Sequence, residues 1–163
     1  MKRSTGSGDF RLEAFLPYRL SVLANRLSRA FARRYQDEFG ISIAEWRVIA
    51  VLGSFAPLSS NEIGDKTEMD KAKVSRAVAA LLKAGMIARE AHPTDQRLIQ
   101  LTLSRHGRKV YEAIVPRARA LEAELTRGLS RQDLGRIHAL LDQLGARIDA
   151  VAGDHGASGQ DWA

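Results

Sequence analysis

One stretch, Leu58 to Gly107, constrains the fold of this chain more than any other. It contains two short helical patterns followed by two runs in which apolar and polar residues alternate, with a polar, charged turn between the runs. This order of helix, turn, helix and β-hairpin predicts a winged helix-turn-helix, which places one helix in a DNA major groove. We interpret the rest of the chain as the part that holds two copies of this stretch at a fixed distance from each other.

The second helix of the stretch has a surface suited to DNA. Asp70 is a good N-cap for a helix from Lys71 to Ala84, and Gly85 ends it. The predicted buried stripe consists of Val74, Val78, Leu81 and Leu82. The opposite face carries small and basic residues, namely Ala72, Arg76, Ala79 and Lys83, flanked by Lys73 and Ser75. Small residues let a helix approach base pairs closely, and arginine or serine can then contact base edges or phosphates.

The turn between the two predicted strands, Met86 to Ala91 and Leu98 to Leu103, is the predicted wing. A wing arginine such as Arg97 can enter a minor groove, and Asp95 is placed to pair with it and fix its direction. Ser59 opens the preceding helix in capping-box spacing, and a free helix N-terminus can hold a phosphate. The predicted DNA-binding residues are Ser59, Ser60, Lys71, Lys73, Ser75, Arg76, Arg89, Asp95 and Arg97.

Long helical patterns flank the stretch. Leu12 to Phe39 has apolar residues at steps of three and four, with Pro17 in its first turn and Gly40 as its C-cap. Pro116 lies inside the helix that follows Ser104 and should kink it or split it. The final helix has Ser130 and Asp133 in N-terminal capping spacing. It has a coiled-coil-like apolar seam at Leu134, Ile137, Leu141, Leu144, Ile148 and Val151. This seam predicts a dimer interface, with packing inside one monomer as the alternative.

These patterns predict a mainly α fold with a small β-hairpin wing, in one ordered domain at 10–152. We expect a DNA-binding lobe at about 42–103. Within it, Ser42 and Glu45 in capping-box spacing open a buried helix that runs to Leu52 and ends at Gly53 to Pro57. Dimerisation helices are expected at about 12–39 and 104–151. The tails, 1–9 and 153–163, are polar or glycine-containing and are expected to be disordered.

Composition excludes several other classes. The net charge of +6 favours a polyanionic partner, and the absence of cysteine excludes disulfides and thiolate metal sites. The four histidines fall on four different elements, no phosphate-binding glycine loop follows a strand, and no Ser/His/Asp arrangement can be argued. We therefore expect neither an enzyme nor a metal or cofactor. No apolar run approaches the roughly 20 residues that span a bilayer, so we expect a cytoplasmic protein without a membrane partner.

Two segments resemble the MarR family of winged helix-turn-helix regulators. DKAKVSRAVAALLKAGMIARE is similar to the recognition helix and first wing strand of the family, and DQRLIQLTLSRHG to its wing signature, D-x-R followed by L-x-L-[TS]-x-x-G. The matching positions are Asp95, Arg97, Leu101, Leu103, Ser104 and Gly107. The resemblance covers about Phe10 to Val151. The family's cysteine-based sensing of oxidants is excluded here.

The resemblance implies a homodimer that binds an inverted-repeat operator in double-stranded DNA, usually as a repressor, and releases it when a small aromatic or anionic effector binds. By similarity, the effector cleft lies between the DNA-binding lobe and the dimerisation helices. Tyr18, Arg19 and Trp46 are the candidate effector contacts, with a core position as the alternative for Trp46.

The alternative function is a winged-helix module that serves protein interaction or dimerisation without specific DNA binding. Such a module does not need an exposed face of small and basic residues on its second helix. The positions of Lys71, Arg76 and Arg97 therefore favour DNA binding.

Overall fold

A computed structural model of the chain describes residues 10–91 and 99–156. After a 3-10 turn at Leu12–Ala14, the described elements are α1 (Leu16–Ala32), α2 (Gln36–Phe39), α3 (Ile43–Phe55), α4 (Ser60–Thr67), α5 (Lys71–Lys83), β1 (Ile87–Ala91), β2 (Ile99–Leu103), α6 (Arg105–Leu125) and α7 (Arg131–Gly156). Two compact units divide the chain, and their boundary follows Arg119, within α6. The predicted mainly helical fold with a small hairpin is confirmed.

The prediction of one continuous first helix is wrong, because the chain breaks at both ends of α1. At its start, the chain before α1 is extended at Phe15, with φ −73° and ψ 114°, and Pro17 lies in the first turn, where its missing N–H is tolerated. At the other end Tyr35 leaves helical geometry, with φ −139° and ψ −23°. The Tyr35 ring is buried in the core, 5.0 Å from the ring of Phe31. The spacing of apolar residues continues across this break, and the sequence pattern therefore gives no sign of the break.

Helix α3 begins as predicted and ends later than predicted. Ser42 and Glu45 form a complete capping box, in which each side chain accepts a hydrogen bond from the backbone N–H of the other. The predicted end at Gly53 is wrong, since α3 continues to Phe55. Gly53 lies against the ring of Tyr111 on α6, where a Cβ atom would overlap the ring. This glycine is therefore a packing position inside the helix.

The core of the first unit lies between α3, α4, α5 and the start of α6. Its most completely buried aliphatic side chains include Ile49 and Leu52 of α3, Ile63 of α4, Leu81 of α5 and Ile114 of α6. Burying one such side chain contributes on the order of 2 kcal/mol. This core fixes the angle between α4 and α5, the two helices of the predicted helix-turn-helix.

The hairpin is tied to the start of α4. Strands β1 and β2 pair antiparallel, with Arg89 opposite Leu101. Leu101 also exchanges two backbone hydrogen bonds with Leu58, of 2.7 and 3.2 Å. Leu58 directly precedes the N-cap of α4, so the base of the hairpin positions that helix. No pattern in the sequence around Leu58 predicted this third pairing.

Helix α6 passes through Pro116 without a split, contrary to one of the two predicted outcomes. In the second unit, Gly128 has φ +88° after the end of α6, and Ser130 caps α7 through Asp133 as predicted. Helix α7 continues to Gly156, whereas we expected disorder from residue 153. The predictions for 1–9 and 157–163 lie outside the described residues. No helix within the described ranges is long and apolar enough to cross a membrane.

Candidate nucleic-acid interface

Helix α5 presents the surface that the sequence predicts. The Asp70 carboxylate accepts a hydrogen bond of 2.7 Å from the backbone N–H of Lys73, which caps the helix. Its buried side chains are Val74, Ala77, Val78 and Leu81. Its exposed residues include Ala72, Ser75, Arg76, Ala79, Ala80 and Lys83. The exposed face is therefore small and cationic, as a helix that approaches base pairs requires.

A groove of about 900 Å³ runs between α4, α5 and β1. It brings together four of the predicted DNA-binding residues, Ser60, Lys71, Ser75 and Arg89. It also contains three carboxylates that the sequence analysis did not assign to this surface, those of Asp65, Glu68 and Asp70. Phosphates are attracted to the cationic side chains and repelled by these carboxylates, so the charges restrict where a DNA backbone can lie.

Ser59 and Ser60 differ in what their hydroxyls can contact. The Ser59 hydroxyl donates a hydrogen bond of 2.8 Å to the Glu62 carboxylate and accepts one from the Glu62 backbone N–H. It is therefore already engaged in the capping box. Ser60 is the first residue of α4 and is exposed in the groove. Its position suits a phosphate contact better than that of Ser59.

Lys73 lies on the other flank of α5 from Lys71 and Ser75. It lines a second groove of about 470 Å³, with residues of α1, α3 and the turn before α5. This groove contains two further cations, Arg29 and Arg47, and the polar side chains of Asn25, Ser28, Gln36 and Ser42. The structure thus separates Lys73 from the other predicted α5 contacts. Sequence spacing alone gave no signal for this cluster, because its cations Arg29, Arg47 and Lys73 come from three different helices.

Arg47 lines the second groove and also interacts electrostatically with the buried Tyr35. Its guanidinium donates a hydrogen bond of 3.3 Å to the Ser28 hydroxyl on α1. Burial raises the pKa of Tyr35 to about 12, an effect that the positive charge of Arg47 partly opposes and the negative charge of Glu45 adds to. The phenol therefore stays neutral at physiological pH.

The predicted effector contacts do not form one site. Tyr18 and Arg19 are exposed on α1 and line a groove along that helix which does not include Trp46. Trp46 instead packs with aromatic rings, 5.6 Å from Phe31, 5.7 Å from Tyr35 and 6.3 Å from Tyr111 between centroids. The alternative for Trp46, a core position, agrees with these contacts.

The wing residues Asp95 and Arg97 lie outside the described residues. The strands that carry the wing are described, and the Thr102 hydroxyl donates a hydrogen bond of 2.8 Å to the Glu90 carboxylate across them. On the opposite strand face, Arg89 points to the groove beside α5. Among the described residues, no group of three or more His, Asp or Glu side chains could hold a metal ion.

Comparison with known proteins agrees with this geometry. The MarR family profile matches residues 39–98, which include α3, α4, α5 and β1 and end just before β2. A MarR/EmrR family regulator from Acinetobacter sp. ADP1 is 29% identical, with a TM-score of 0.80 over 86% of this chain and 99% of that one. This chain belongs to the MarR family. As in that family, it is a DNA-binding transcriptional regulator with a winged helix-turn-helix.

Two further relatives of this MarR family member cover most of its length. A probable transcriptional regulator from Pseudomonas aeruginosa is 30% identical, with a TM-score of 0.69 over 82% of this chain and 99% of that one. The HTH-type transcriptional regulator TcaR of Staphylococcus aureus is 26% identical over 126 residues, which cover 76% of this chain and 83% of TcaR. These similarities extend beyond the winged helix-turn-helix to the flanking helices.

Proposed function

We propose that this protein is a homodimeric, effector-responsive repressor that binds an inverted-repeat operator. It would act in the cytoplasm, on DNA near its own gene. The observation that carries this proposal is the exposed face of α5, where Arg76 and Lys83 stand among small residues above a fully buried stripe. The side chains of this face are exposed in the monomer, and small and cationic residues in this arrangement fit a major groove.

The contacts would divide between bases and phosphates. Lys71, Ser75 and Arg76 would meet base edges or the phosphates beside them, and Lys73 a phosphate at the flank of α5. Ser60 and Arg89 would anchor phosphates at the edge of the first groove, whereas the N–H and hydroxyl of Ser59 are already bonded to the Glu62 carboxylate. Arg97, directed by Asp95, would enter the flanking minor groove. Operator affinity should therefore fall steeply as salt is raised, since each neutralised phosphate releases counterions.

Exposed apolar side chains on two helices support the dimer. On α1, Leu23 is 62% exposed, and on α7 Ile148 and Val151 are 62% and 61% exposed. A row of such residues along a helix is covered by a partner in most proteins. A second copy is the partner we propose, because two-fold symmetry matches an inverted repeat, with half-sites about 34 Å apart.

The second groove is our candidate effector site, in place of Tyr18, Arg19 and Trp46. Arg29 and Arg47 would bind a small anion such as an aromatic carboxylate, and Lys73 would link that anion to the N-terminal turn of α5. The effector would then favour a dimer whose recognition helices no longer match the operator, which lowers affinity through a shift in population.

The first experiment measures binding of the full chain to DNA from upstream of its gene, by fluorescence anisotropy with competitor DNA. We expect tight, sequence-dependent binding by a dimer, and loss of affinity in Arg97→Ala with the dimer intact by sedimentation. An aromatic carboxylate should weaken binding in the wild type and lose this effect in Arg47→Gln. Weak binding that is indifferent to sequence would instead favour a winged-helix module for protein interaction.

A further inference from the structure

Arg117, on α6, holds α2 through two contacts with neighbouring residues. Its Nη2 atom lies 2.6 Å from Glu38 Oε2, in an ion pair. Its guanidinium carbon lies 5.0 Å from the centroid of the Phe39 ring, within range of a cation–π contact. Both contacts are inside the first unit, which ends two residues later at Arg119. One side chain thus fixes α6 to a single turn of helix.

That turn controls how α1 joins α3. Helix α2 has only four residues, between Tyr35, which is 1% exposed, and Gly40, which has φ +64°. Phe39 packs against the core, and the capping box of α3 begins at Ser42. A rotation of α2 would therefore change the direction of α1 relative to α3, the helix against which α4 and α5 pack.

On the α6 side, Arg117 follows the weakest point of the helix. Pro116 has no N–H, so the carbonyl of Glu112 lacks its usual helical donor. Bends occur at such positions because the backbone hydrogen bonds are fewer there. The contacts of Arg117 therefore restrain α6 at the turn where the helix lacks one backbone hydrogen bond.

The ion pair between Arg117 and Glu38 contributes little to the stability of the fold. The Glu38 side chain is 57% exposed and that of Arg117 is 33% exposed, and exposed pairs of this kind contribute little to folding. The Nη1 atom of Arg117 is buried and has no hydrogen-bond acceptor among the described residues, which is unfavourable. A contact worth about 1 kcal/mol or less can still favour one orientation of α2 over another by up to about fivefold.

We propose that Arg117 and Glu38 form a positioning latch that sets the spacing between the two recognition helices of the dimer. Through α2, the latch fixes how α1, one of the helices that we assign to dimerisation, is held against α3 and the DNA-binding lobe. It rests on the proposed dimeric function. Moving one half-site by a base pair shifts it about 3.4 Å and rotates it about 35°, so a dimer with the latch intact should discriminate between such operators.

The test measures affinity as a function of half-site spacing. An operator selected from random DNA by the full-length protein is remade with its half-sites one base pair closer and one base pair further apart. The wild type is compared with Arg117→Gln, Glu38→Gln and the double variant. Arg119→Gln is the matched control, because it removes the same charge from an exposed position on the same helix. Urea unfolding of each variant is measured in parallel.

We expect the preference for the native spacing to fall about fivefold in each single variant, and no further in the double variant, because the two residues act as one contact. Arg119→Gln should keep the wild-type preference. An unchanged spacing preference in Arg117→Gln and Glu38→Gln would contradict the latch, as would an equal loss of affinity at all three spacings. If Arg117→Gln unfolds more easily than the wild type, Glu38→Gln, whose side chain is exposed, decides the question.

Failure of the latch is distinct from failure of the proposed function. If the wild type prefers one half-site spacing and the variants share that preference, the proposed latch is contradicted and the proposed dimeric regulator is not. If the wild type itself binds all three operators equally, the dimeric inverted-repeat function is wrong, and the latch falls with it.

Discussion

Gly53 offers a sharp test of the packing that supports the DNA-binding lobe. It lies in the last turn of α3, and a Cβ atom there would overlap the ring of Tyr111 and come within 2.6 Å and 2.7 Å of two further ring carbons. Tyr111 cannot move away freely, since it stacks on Trp46 and lies beside the guanidinium of Arg108. Gly53→Ala should therefore destabilise the protein, although alanine is the better helix former.

The magnitude follows from two opposing effects. Replacing glycine by alanine inside a helix stabilises it by about 1 kcal/mol. Forcing an extra methyl group into a packed site costs about 1–3 kcal/mol, and displacing a ring from an aromatic pair costs about 1 kcal/mol more. The net effect of Gly53→Ala should be a loss of about 2 kcal/mol. In a Tyr111→Ala background the clash is gone, and the same substitution should stabilise by about 1 kcal/mol.

Urea unfolding followed by the fluorescence of Trp46 measures both values, in a Trp162→Phe protein so that one tryptophan remains. Gly135→Ala on α7 is the control, because a Cβ atom there has no neighbour within 4 Å. It should stabilise the protein by about 1 kcal/mol. A clash with Tyr111 is ruled out if Gly53→Ala stabilises the protein as Gly135→Ala does. It is also ruled out if Gly53→Ala still destabilises the protein in the Tyr111→Ala background.

Three other predictions concern stability. Asp70→Ala removes the cap of α5 and should cost about 1 kcal/mol in urea unfolding, whereas Asp70→Asn should cost much less; equal losses would show that the cap is not the cause. Ile63→Ala should lower the free energy of unfolding by about 2–5 kcal/mol, because this side chain is 0% exposed. A smaller loss would mean that neighbouring side chains move in to fill the cavity. The folded-state pKa of Tyr35 is raised to about 12 from 10.0, so its contribution to stability is complete below pH 10 and lost as the pH rises towards 12. The unfolding free energy should therefore fall over that range, and Tyr35→Phe should fall less; parallel curves would contradict this assignment.

The ends of helices are where the sequence predicted the fold best. Ser42, Ser59, Asp70 and Ser130 each cap the helix that the pattern assigned to them. These signals are local, because a capping side chain bonds to a backbone N–H three residues away. The recognition helix was predictable for the same reason, since its buried and exposed faces follow from one helical period.

Features that depend on a distant residue were not predictable. Gly53 was interpreted as a helix breaker because its partner, Tyr111, is remote in sequence. The break at Tyr35 was hidden because the ring continues the apolar spacing of α1 while it enters the core. The second groove was missed for a related reason, since Arg29, Arg47 and Lys73 meet only after three elements have packed.

Substitution of Arg76 shows whether the exposed face of α5 recognises DNA sequence. Affinity is measured by anisotropy at physiological salt for two duplexes, one selected by the protein from random DNA and one with the same bases shuffled. The wild type should prefer the selected duplex by about 10³-fold or more. Arg76→Ala should reduce this ratio about tenfold or more, whereas Lys109→Ala, which removes an exposed cation from α6, should preserve it. Equal affinity of the wild type for both duplexes would contradict sequence recognition by this protein. An unchanged ratio of the two affinities in Arg76→Ala would contradict recognition by this face of α5.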